Sequence, residues 1–237
     1  MDLLMASRPV FIPDLDGQAL VSTQIVDFQW FAGLSVSQKQ KSVTALHQAA
    51  RALPGIGKVL EVSTKSPEPL GAALSAFNLC FDSLMLGHPL SVECAFQGSK
   101  VFEQGGPFTD IYAFTSRDAK RDERLRISGR LTGFNFANVQ WPLEPQTAFY
   151  DWLYISALKH RTDLADPLSD YSAFTDIEFN PQKSINCQAY SVALFVSLHK
   201  RNCLEQATAS PAAFLSYVGA RPVVSARGDD VSQGRLF

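Results

Sequence analysis

Three side chains that could carry out acid–base chemistry recur at helical spacing between residues 91 and 102. On a helix, Glu93, Gln97 and Lys100 occupy positions i, i+4 and i+7 and therefore share one face. A neighbouring face that includes Phe96 can pack inward, which would leave an acid, an amide and an amine beside a buried seam. This set suits acid–base or amine chemistry on a sugar, and a solvated, salt-bridged helix face is the alternative interpretation.

The composition is that of a chain able to bury a hydrophobic core. Its 237 residues are 46% hydrophobic, and a formal net charge of -2 gives no global basic field for avid, non-specific binding to nucleic acid. Between residues 117 and 130, arginines and lysines alternate with acids. We interpret this segment as a solvated amphipathic helix, with contact to phosphates at the mouth of a site as the alternative.

The cysteines and the N-terminus indicate a cytoplasmic protein. The four cysteines are widely spaced and form no CxxC pair, so we expect reduced, mostly buried thiols and no zinc site. The first residues have neither the basic region nor the long apolar region of a signal peptide. No segment reaches the length of a membrane span.

The first quarter of the chain shows short strand-like runs followed by a helical pattern. The runs predict a hairpin at about residues 9–27, with a turn between them. Ser35 or Ser37 can cap a helix that ends near Leu53, and residues 58–63 are a plausible strand. The helix has an apolar face to bury, so we expect this N-terminal β/helix extension to pack on the rest of the protein.

The remainder of the chain predicts mainly helices with irregular connections. The predicted helices span residues 91–102, 116–127, 146–160, 184–200 and 210–217, the fourth being apolar and capped by Ser184. The fold class is therefore α+β, mostly α-helical, with small β elements. The expected domains are an extension at 1–60, a catalytic domain at 61–219 and a flexible tail at 220–237.

Four short motifs follow one another in a characteristic order. They are carried by Ser75 and Phe77, then Glu93, Phe96, Gln97 and Lys100, then Ala119 and Lys120, and finally Asp176 and Asn186. Over about residues 60–203, this order and spacing resembles the NADAR domain, also called YbiA-like. Glycine-rich and aromatic segments between the motifs look like those of a divergent branch, the NADAR proteins that accompany DarT-type toxins as antitoxins.

The chain departs from the family pattern at three places. Ala76 replaces an asparagine of the first motif, and Cys94 replaces a histidine of the second. Ile177 and Glu178 follow Asp176, where the family has Trp-Gly.

The resemblance implies a function. NADAR proteins of this kind remove ADP-ribose that a toxin has transferred from NAD to guanine bases in nucleic acid. The implied activity is a metal-independent N-glycosidase acting on ADP-ribosylated guanine in DNA, without a cofactor, with a cognate ADP-ribosyltransferase toxin as partner. The alternatives are an N-glycosidase for a small phosphoribosylamine-type metabolite and a non-enzymatic module that binds ADP-ribose or the toxin.

Three residues are the candidate catalytic groups. Cleavage of an N-glycosidic bond develops positive charge on the sugar and requires a proton for the departing base nitrogen. Lys100 could attack the anomeric carbon and form a Schiff base with the opened ribose, with Glu93 as proton shuttle. A charged Lys100 could instead only position a phosphate or the ribose. Asp176 either binds a ribose hydroxyl and supports acid–base chemistry, or is a turn carboxylate.

A further set of residues could contact the substrate, and for most of them a structural role is the alternative. The set is Ser75, Phe77, Asn78, Gln97, Gly105, Gly106, Trp141 and Asn186. Ser75 and Asn78 could hydrogen-bond the diphosphate or ribose, or they could stabilise turns. Asn186 could contact the ligand or only satisfy backbone groups. The glycine pair permits close approach of a phosphate but more often forms a turn. The tryptophan could stack on a base, although core packing is the favoured interpretation.

Overall fold

The fold is described by a computed structural model covering residues 4–81, 87–182 and 184–219. Helices make up 42% and strands 20% of the structure, so the expected α+β class with more helix than strand is confirmed. The expected flexible tail at 220–237 lies outside the described residues.

Short strands and helices are interspersed along the whole chain. The strands are β1 (Met5–Pro13), β2 (Val21–Gln29), β3 (Val59–Glu61), β4 (Cys80–Phe81), β5 (Leu90–Ser91), β6 (Lys100–Phe102), β7 (Leu131–Phe136), β8 (Val139–Trp141) and β9 (Ala173–Thr175). The helices are α1 (Val36–Ala50), α2 (Pro69–Ala73), α3 (Val92–Gly98), α4 (Ser116–Arg121), α5 (Arg124–Ile127), α6 (Ala148–Leu158), α7 (Thr162–Ala165), α8 (Gln188–Lys200), α9 (Leu204–Thr208) and α10 (Pro211–Gly219). Short 3₁₀ helices span Thr109–Ala113 and Asp166–Asp170.

The N-terminal hairpin predicted around residues 9–27 is confirmed. β1 and β2 pair antiparallel over their whole length, and both strands reach farther outward than predicted. The turn between them is held by the Asp14 carboxylate, which accepts hydrogen bonds from the backbone N–H groups of Asp16 and Gly17.

The hairpin joins a four-stranded sheet with residues from distant parts of the chain. The strand order is β2-β1-β9-β3, with Phe11 of β1 opposite Phe174 of β9 and with β3 parallel to β9. Ser35 caps α1, as predicted. This helix packs on β2 and β3 and buries Val43 and Leu46 completely.

A second sheet and two central helices enclose the main core. β6, β7 and β8 form an antiparallel sheet in that order, and α6 and α8 pack against each other. Phe134 of β7 stacks on Phe149 of α6 with ring centroids 4.5 Å apart. Both helices are buried along most of their length, which confirms the prediction of a buried helix in the fourth predicted segment.

The helix predicted for residues 184–200 begins later than expected. α8 starts at Gln188, and its cap residue, Cys187, makes no side-chain capping bond. The predicted capping role of Ser184 is wrong, because Ser184 belongs to the preceding turn and donates its backbone N–H to the Asn180 carbonyl.

Other helix predictions agree with the structure to different degrees. The helices predicted at 146–160 and 210–217 correspond to α6 and α10. The single helix predicted at 116–127 is divided at Asp122, whose carboxylate accepts hydrogen bonds from the backbone and side chain of Arg124. Within the described segments, no helix combines the length and apolar character needed to cross a bilayer.

Candidate active site

Lys100 lies on a strand and not on the helix predicted for residues 91–102. α3 ends at Gly98, where the Tyr112 ring packs so closely that a Cβ atom would lie 2.5 Å from it. Lys100 then opens β6 and pairs with Phe134 of β7. The prediction of a shared helix face is therefore wrong for Lys100.

Glu93 and Gln97 do share a face of α3. They are 6% and 7% exposed, and the Gln97 amide donates to the Glu93 carboxylate at 2.9 Å. The remaining amide oxygen, Oε1 of Gln97, is buried and has no hydrogen-bond partner among the residues described. An unpaired buried acceptor is costly, so this atom marks a position where a ligand could donate a hydrogen bond.

The Lys100 amine lies close to Glu93 and Gln97 although α3 ends before Lys100. Its Nζ atom lies 4.8 Å from the centroid of the Phe96 ring, and the residue is half-buried. Burial lowers the pKa of Lys100 to about 8, the attraction of Glu93 opposes this shift, and the repulsion of Lys120 adds to it. The structure thus brings Glu93, Gln97 and Lys100 together, and Lys100 is more easily deprotonated than an ordinary lysine.

Lys120 is a second amine at this place, and the predicted site residues did not include it. Its Nζ lies 5.4 Å from the centroid of the half-buried Phe77 ring. α4 is fixed there because the Ser116 hydroxyl donates to the Phe77 carbonyl at 2.9 Å and lies 2.8 Å from the Ser91 hydroxyl. The sequence signal was the match of Ala119 and Lys120 to the third motif.

Asp176 is connected to the same region through Gln188. The Gln188 side chain hydrogen-bonds Asp176, and its Oε1 atom accepts from the backbone N–H of Ala76 at 2.8 Å. The backbone N–H of Glu93 in turn donates to the Ala76 carbonyl at 3.0 Å. Sequence reasoning missed Gln188, which links the first, second and fourth motifs.

Tyr150 of α6 is near enough to Glu93 and Asp176 for both carboxylates to act on its hydroxyl. Its ring meets Phe96 edge-on with centroids 5.2 Å apart. Burial, then the charge of Glu93, and more weakly that of Asp176, raise the pKa of Tyr150. The hydroxyl therefore stays protonated and can act only as a neutral hydrogen-bonding group.

The Asp176 carboxylate is both a turn carboxylate and a buried titratable group. Its Oδ1 atom accepts from the backbone N–H groups of Glu178 and Phe179 at 2.9 and 3.2 Å. The residue is 7% exposed, and burial is the main cause that raises its pKa. The turn geometry predicted as one alternative is present, in a position where the carboxyl can hold a proton.

A buried hydrogen-bonded network supports the segment that carries Asp176. Glu61, which is fully buried, accepts from the Ser63 hydroxyl at 2.6 Å, the Thr175 hydroxyl at 2.7 Å and the Ile177 N–H at 2.8 Å. Burial and the charge of Asp176 raise the pKa of Glu61. His47 of α1 lies 3.0 Å from the Thr175 hydroxyl, so the N-terminal helix also contributes.

Ser75 and Asn78 take part in local turn hydrogen bonds. The Ser75 hydroxyl accepts from the Phe77 N–H at 3.4 Å, and the Asn78 side chain donates to the Ala72 carbonyl at 2.8 Å. Ser75 is buried, whereas Asn78 is exposed. This is the structural alternative given for both residues.

Gly105 and Gly106 support the Lys100 backbone. Gly106 has a φ of +85°, and a Cβ there would lie 2.2 Å from the Lys100 carbonyl oxygen. The Gly105 carbonyl accepts the Phe102 N–H at 2.7 Å. The close approach that these glycines allow is thus an approach to β6.

Trp141 and Asn186 lie in different surroundings, although each has a buried polar atom, Nε1 and Oδ1 respectively, without a hydrogen-bond partner among the residues described. Trp141 is 3% exposed and packs against Trp152 with centroids 4.9 Å apart, in the aromatic core. Asn186 lies shortly before α8, and its Oδ1 atom is buried without a hydrogen-bond partner among the residues described. Asn186 therefore offers a hydrogen-bond acceptor to a ligand. Trp141 packs in the core, which is the interpretation favoured from the sequence.

The next question is whether the side chains include a set that could ligate a metal ion. In the described ranges, no group of three or more histidine, cysteine or acidic side chains lies close enough together to hold a metal ion. The expectation of a metal-independent reaction stays a prediction.

Comparison with known proteins identifies the family. The sequence profile of the DarT1-associated NADAR antitoxins matches residues 6–227, nearly the whole chain. No curated protein matches the sequence. The match includes the N-terminal hairpin and α1 as well as the segments around Lys100 and Asp176. The chain belongs to the family of DarT1-associated NADAR antitoxins.

Proposed function

We propose that this protein is an ADP-ribosyl hydrolase that removes ADP-ribose from modified guanine bases in DNA. It would thereby act as the antitoxin of an ADP-ribosyltransferase toxin. The observation that carries the proposal is the Lys100 amine, which lies over Phe96 and beside the buried pair of Glu93 and Gln97. N-glycosidic cleavage uses an amine or water as nucleophile and a carboxyl group as proton donor and acceptor.

The proposed reaction begins with a neutral Lys100. Its Nζ atom attacks the anomeric carbon, and the electron pair of the glycosidic bond leaves with the guanine nitrogen. Glu93 takes a proton from the attacking amine and delivers one to the guanine. Opening of the ribose ring gives a Schiff base on Lys100, which water hydrolyses to release ADP-ribose and restore the amine.

The protonation state of Lys100 supports this role. A lysine with a pKa of about 8 is about one tenth neutral at pH 7, against far less for an ordinary lysine. Glu93 stabilises the charged form, so the same carboxylate that moves the proton also limits the neutral fraction.

Buried acceptors and a protonatable carboxyl group among the candidate residues could bind the sugar and base. The unpaired oxygens of Gln97 and Asn186 could accept hydrogen bonds from ribose hydroxyls or from guanine N–H groups. Asp176 could bind a ribose hydroxyl in either protonation state, as its raised pKa keeps a proton available. Binding of substrate would then pair atoms that are otherwise buried alone.

The proposal is tested by incubating the purified protein with an oligonucleotide that carries ADP-ribosylated guanine, without added metal. Mass spectrometry should show loss of the ADP-ribose mass and recovery of unmodified DNA. Lys100→Ala should lower the rate by at least about 10³-fold, and Glu93→Gln by about 10²- to 10⁴-fold. Lys41→Ala, an exposed lysine of α1, should retain the wild-type rate.

Borohydride reduction during turnover identifies the nucleophile. A covalent adduct should form with the wild type and with Lys120→Ala, and should be absent with Lys100→Arg. If Lys100→Ala and Glu93→Gln still remove ADP-ribose at the wild-type rate, the site assignment is wrong. An unchanged substrate with folded wild-type protein would instead favour a small-metabolite glycosidase or a binding module.

A further inference from the structure

An exposed cationic face lies beside the candidate active site, on α4. A helix advances about 100° per residue, and Ala119 is completely buried against the core. Arg117 and Arg121 therefore project about 160° away from the buried side, towards solvent. Both are exposed, and neither makes an ion pair with any residue that the structure describes.

The face is continuous with the site through Lys120. Lys120 projects about 100° from Ala119, on the flank of α4 that adjoins Arg117 three residues earlier. It lies over Phe77 and its charge acts on the Lys100 amine. The two exposed arginines are therefore neighbours of a residue that reaches the reacting groups.

Two acidic residues flank these arginines, and neither forms an ion pair with them among the residues described. The Asp118 carboxylate accepts the Thr115 hydroxyl at 2.7 Å, at the cap of α4. The Asp122 carboxylate is bound by the Arg124 side chain at 2.7 Å. Arg117, Lys120 and Arg121 outnumber the one carboxylate of α4, Asp118, so in a chain with a net charge of -2 this face is a local positive patch of the kind that attracts phosphates.

An exposed aromatic side chain lies at the N-terminal end of α4. Phe114 directly precedes the cap of α4 and is 41% exposed. Its backbone is fixed because its carbonyl accepts a hydrogen bond from the Cys94 thiol on α3. Surfaces that bind single-stranded nucleic acid combine cations that follow the phosphates with aromatic rings on which unpaired bases stack.

We propose that Phe114, Arg117, Lys120 and Arg121 form the surface that holds the single-stranded DNA flanking the modified guanine. This inference rests on the proposed function, since a guanine at Lys100 that belongs to DNA must have its neighbouring nucleotides at the mouth of the site. The arginines bind backbone phosphates, and the Phe114 ring stacks on an adjacent unpaired base. The surface is the alternative interpretation of the basic segment between residues 117 and 130.

The test uses fluorescence anisotropy with a labelled, unmodified single-stranded oligonucleotide. Wild-type protein should bind it with a salt-dependent affinity, and Arg117→Ala/Arg121→Ala should weaken binding about 10-fold or more at low salt. Loss of two phosphate contacts should also reduce the slope of log K against log salt concentration by about 1.4. Lys41→Ala/Arg51→Ala, which removes two exposed cations of the α1 segment, should bind as the wild type does.

Two further measurements test the aromatic part. Phe114→Ala should weaken single-strand binding about 5-fold or more while leaving the salt slope unchanged. The wild type should bind the same sequence more weakly as a duplex, because paired bases cannot stack on the ring. Equal binding of single strand and duplex, or full binding by Phe114→Ala or by Arg117→Ala/Arg121→Ala, would overturn the proposal.

The probe carries no ADP-ribose, so this test is independent of hydrolase activity. Failure of the proposed function would show as absence of cleavage by the wild type. Failure of the surface would show as unchanged DNA binding by Arg117→Ala/Arg121→Ala, whether or not the wild type cleaves.

Discussion

At the scale of single residues, the proposed mechanism depends on Lys100, whose protonation is favoured by one neighbouring charge and opposed by another. Burial and the neighbouring Lys120 favour the neutral amine of Lys100, whereas Glu93 favours the charged form. Catalysis by an amine needs its neutral form, and catalytic lysines in other enzymes are tuned by a second cation in the same way. Lys120 is therefore expected to control how much neutral Lys100 exists at a given pH.

This balance predicts the pH dependence of the reaction. kcat/KM should rise with pH and level off above the Lys100 pKa of about 8. Lys120→Gln removes a repulsive charge, so the pKa of Lys100 should increase and the rising limb should move to higher pH. The limb is measured from kcat/KM across pH 6–10, with Lys41→Gln as the control that leaves it in place.

Direct titration separates this effect from a change in substrate binding. NMR of labelled lysine side chains should show the Lys100 resonance titrating at higher pH in Lys120→Gln, without substrate. If the rising limb of kcat/KM and the titration of the Lys100 resonance both stay at the wild-type pH, Lys120 does not act on the Lys100 amine.

At the scale of secondary-structure elements, the passage from α3 to β6 decides where Lys100 lies. The sequence predicted the acid and amide on one helix face, and the structure confirms that pair. It did not predict the strand, because Lys100 is drawn into β6 by pairing with β7, more than thirty residues away in the chain. A local signal was present in Gly98, since glycine is common at helix ends.

The glycine turn after β6 provides a test of this element. Gly106→Ala places a Cβ 2.2 Å from the Lys100 carbonyl oxygen at a φ of +85°, so we expect a loss of about 2–5 kcal/mol in the free energy of unfolding. Gly55→Ala has a φ of +78° but open space around the Cβ, so it should lose only about 1–2 kcal/mol. Urea unfolding measures both.

The same variant should also affect turnover. Movement of the Lys100 carbonyl shifts the start of β6, so kcat of Gly106→Ala should fall at a temperature where the protein is still folded. Gly55→Ala should keep the wild-type kcat. Equal losses of stability in the two variants would show that strain at positive φ, and not contact with β6, accounts for the glycine.

At the scale of the whole molecule, the N-terminal hairpin is bound to elements far from it in the chain. The Arg201 side chain at the end of α8 donates to the carbonyl groups of Asp14, Gly17 and Ala19 in the hairpin turn. The Ser197 hydroxyl donates to the Asp14 carbonyl at 2.6 Å. Such long-range contacts leave no local pattern in the sequence. The hairpin could therefore be predicted from the sequence, but its partners Ser197 and Arg201 could not.

The boundary between an extension at 1–60 and a catalytic domain at 61–219 stays a prediction, and the contacts of β1 define how to test it. β1 lies between β2 and β9, and β9 leads directly into Asp176. Val10, Phe28, Val43 and Leu46 share one buried cluster with Ala173 and Ile177. Removal of residues 1–60 takes away β1, β2, α1 and two of the three residues of β3, so it would expose the rest of this cluster and leave β9 without a complete partner strand on either side.

We therefore expect residues 61–219 expressed alone to lack a cooperative unfolding transition, and the full chain to show a single one. Arg201→Gln in the full chain should lower the melting temperature by removing the bonds to the hairpin turn, whereas Arg51→Gln, an exposed arginine next to α1, should change stability by no more than about 0.5 kcal/mol. Calorimetry measures each transition. Limited proteolysis that released a stable, folded fragment beginning near residue 60 would contradict the expectation, because such a fragment could not depend on β1 to hold Asp176 in place.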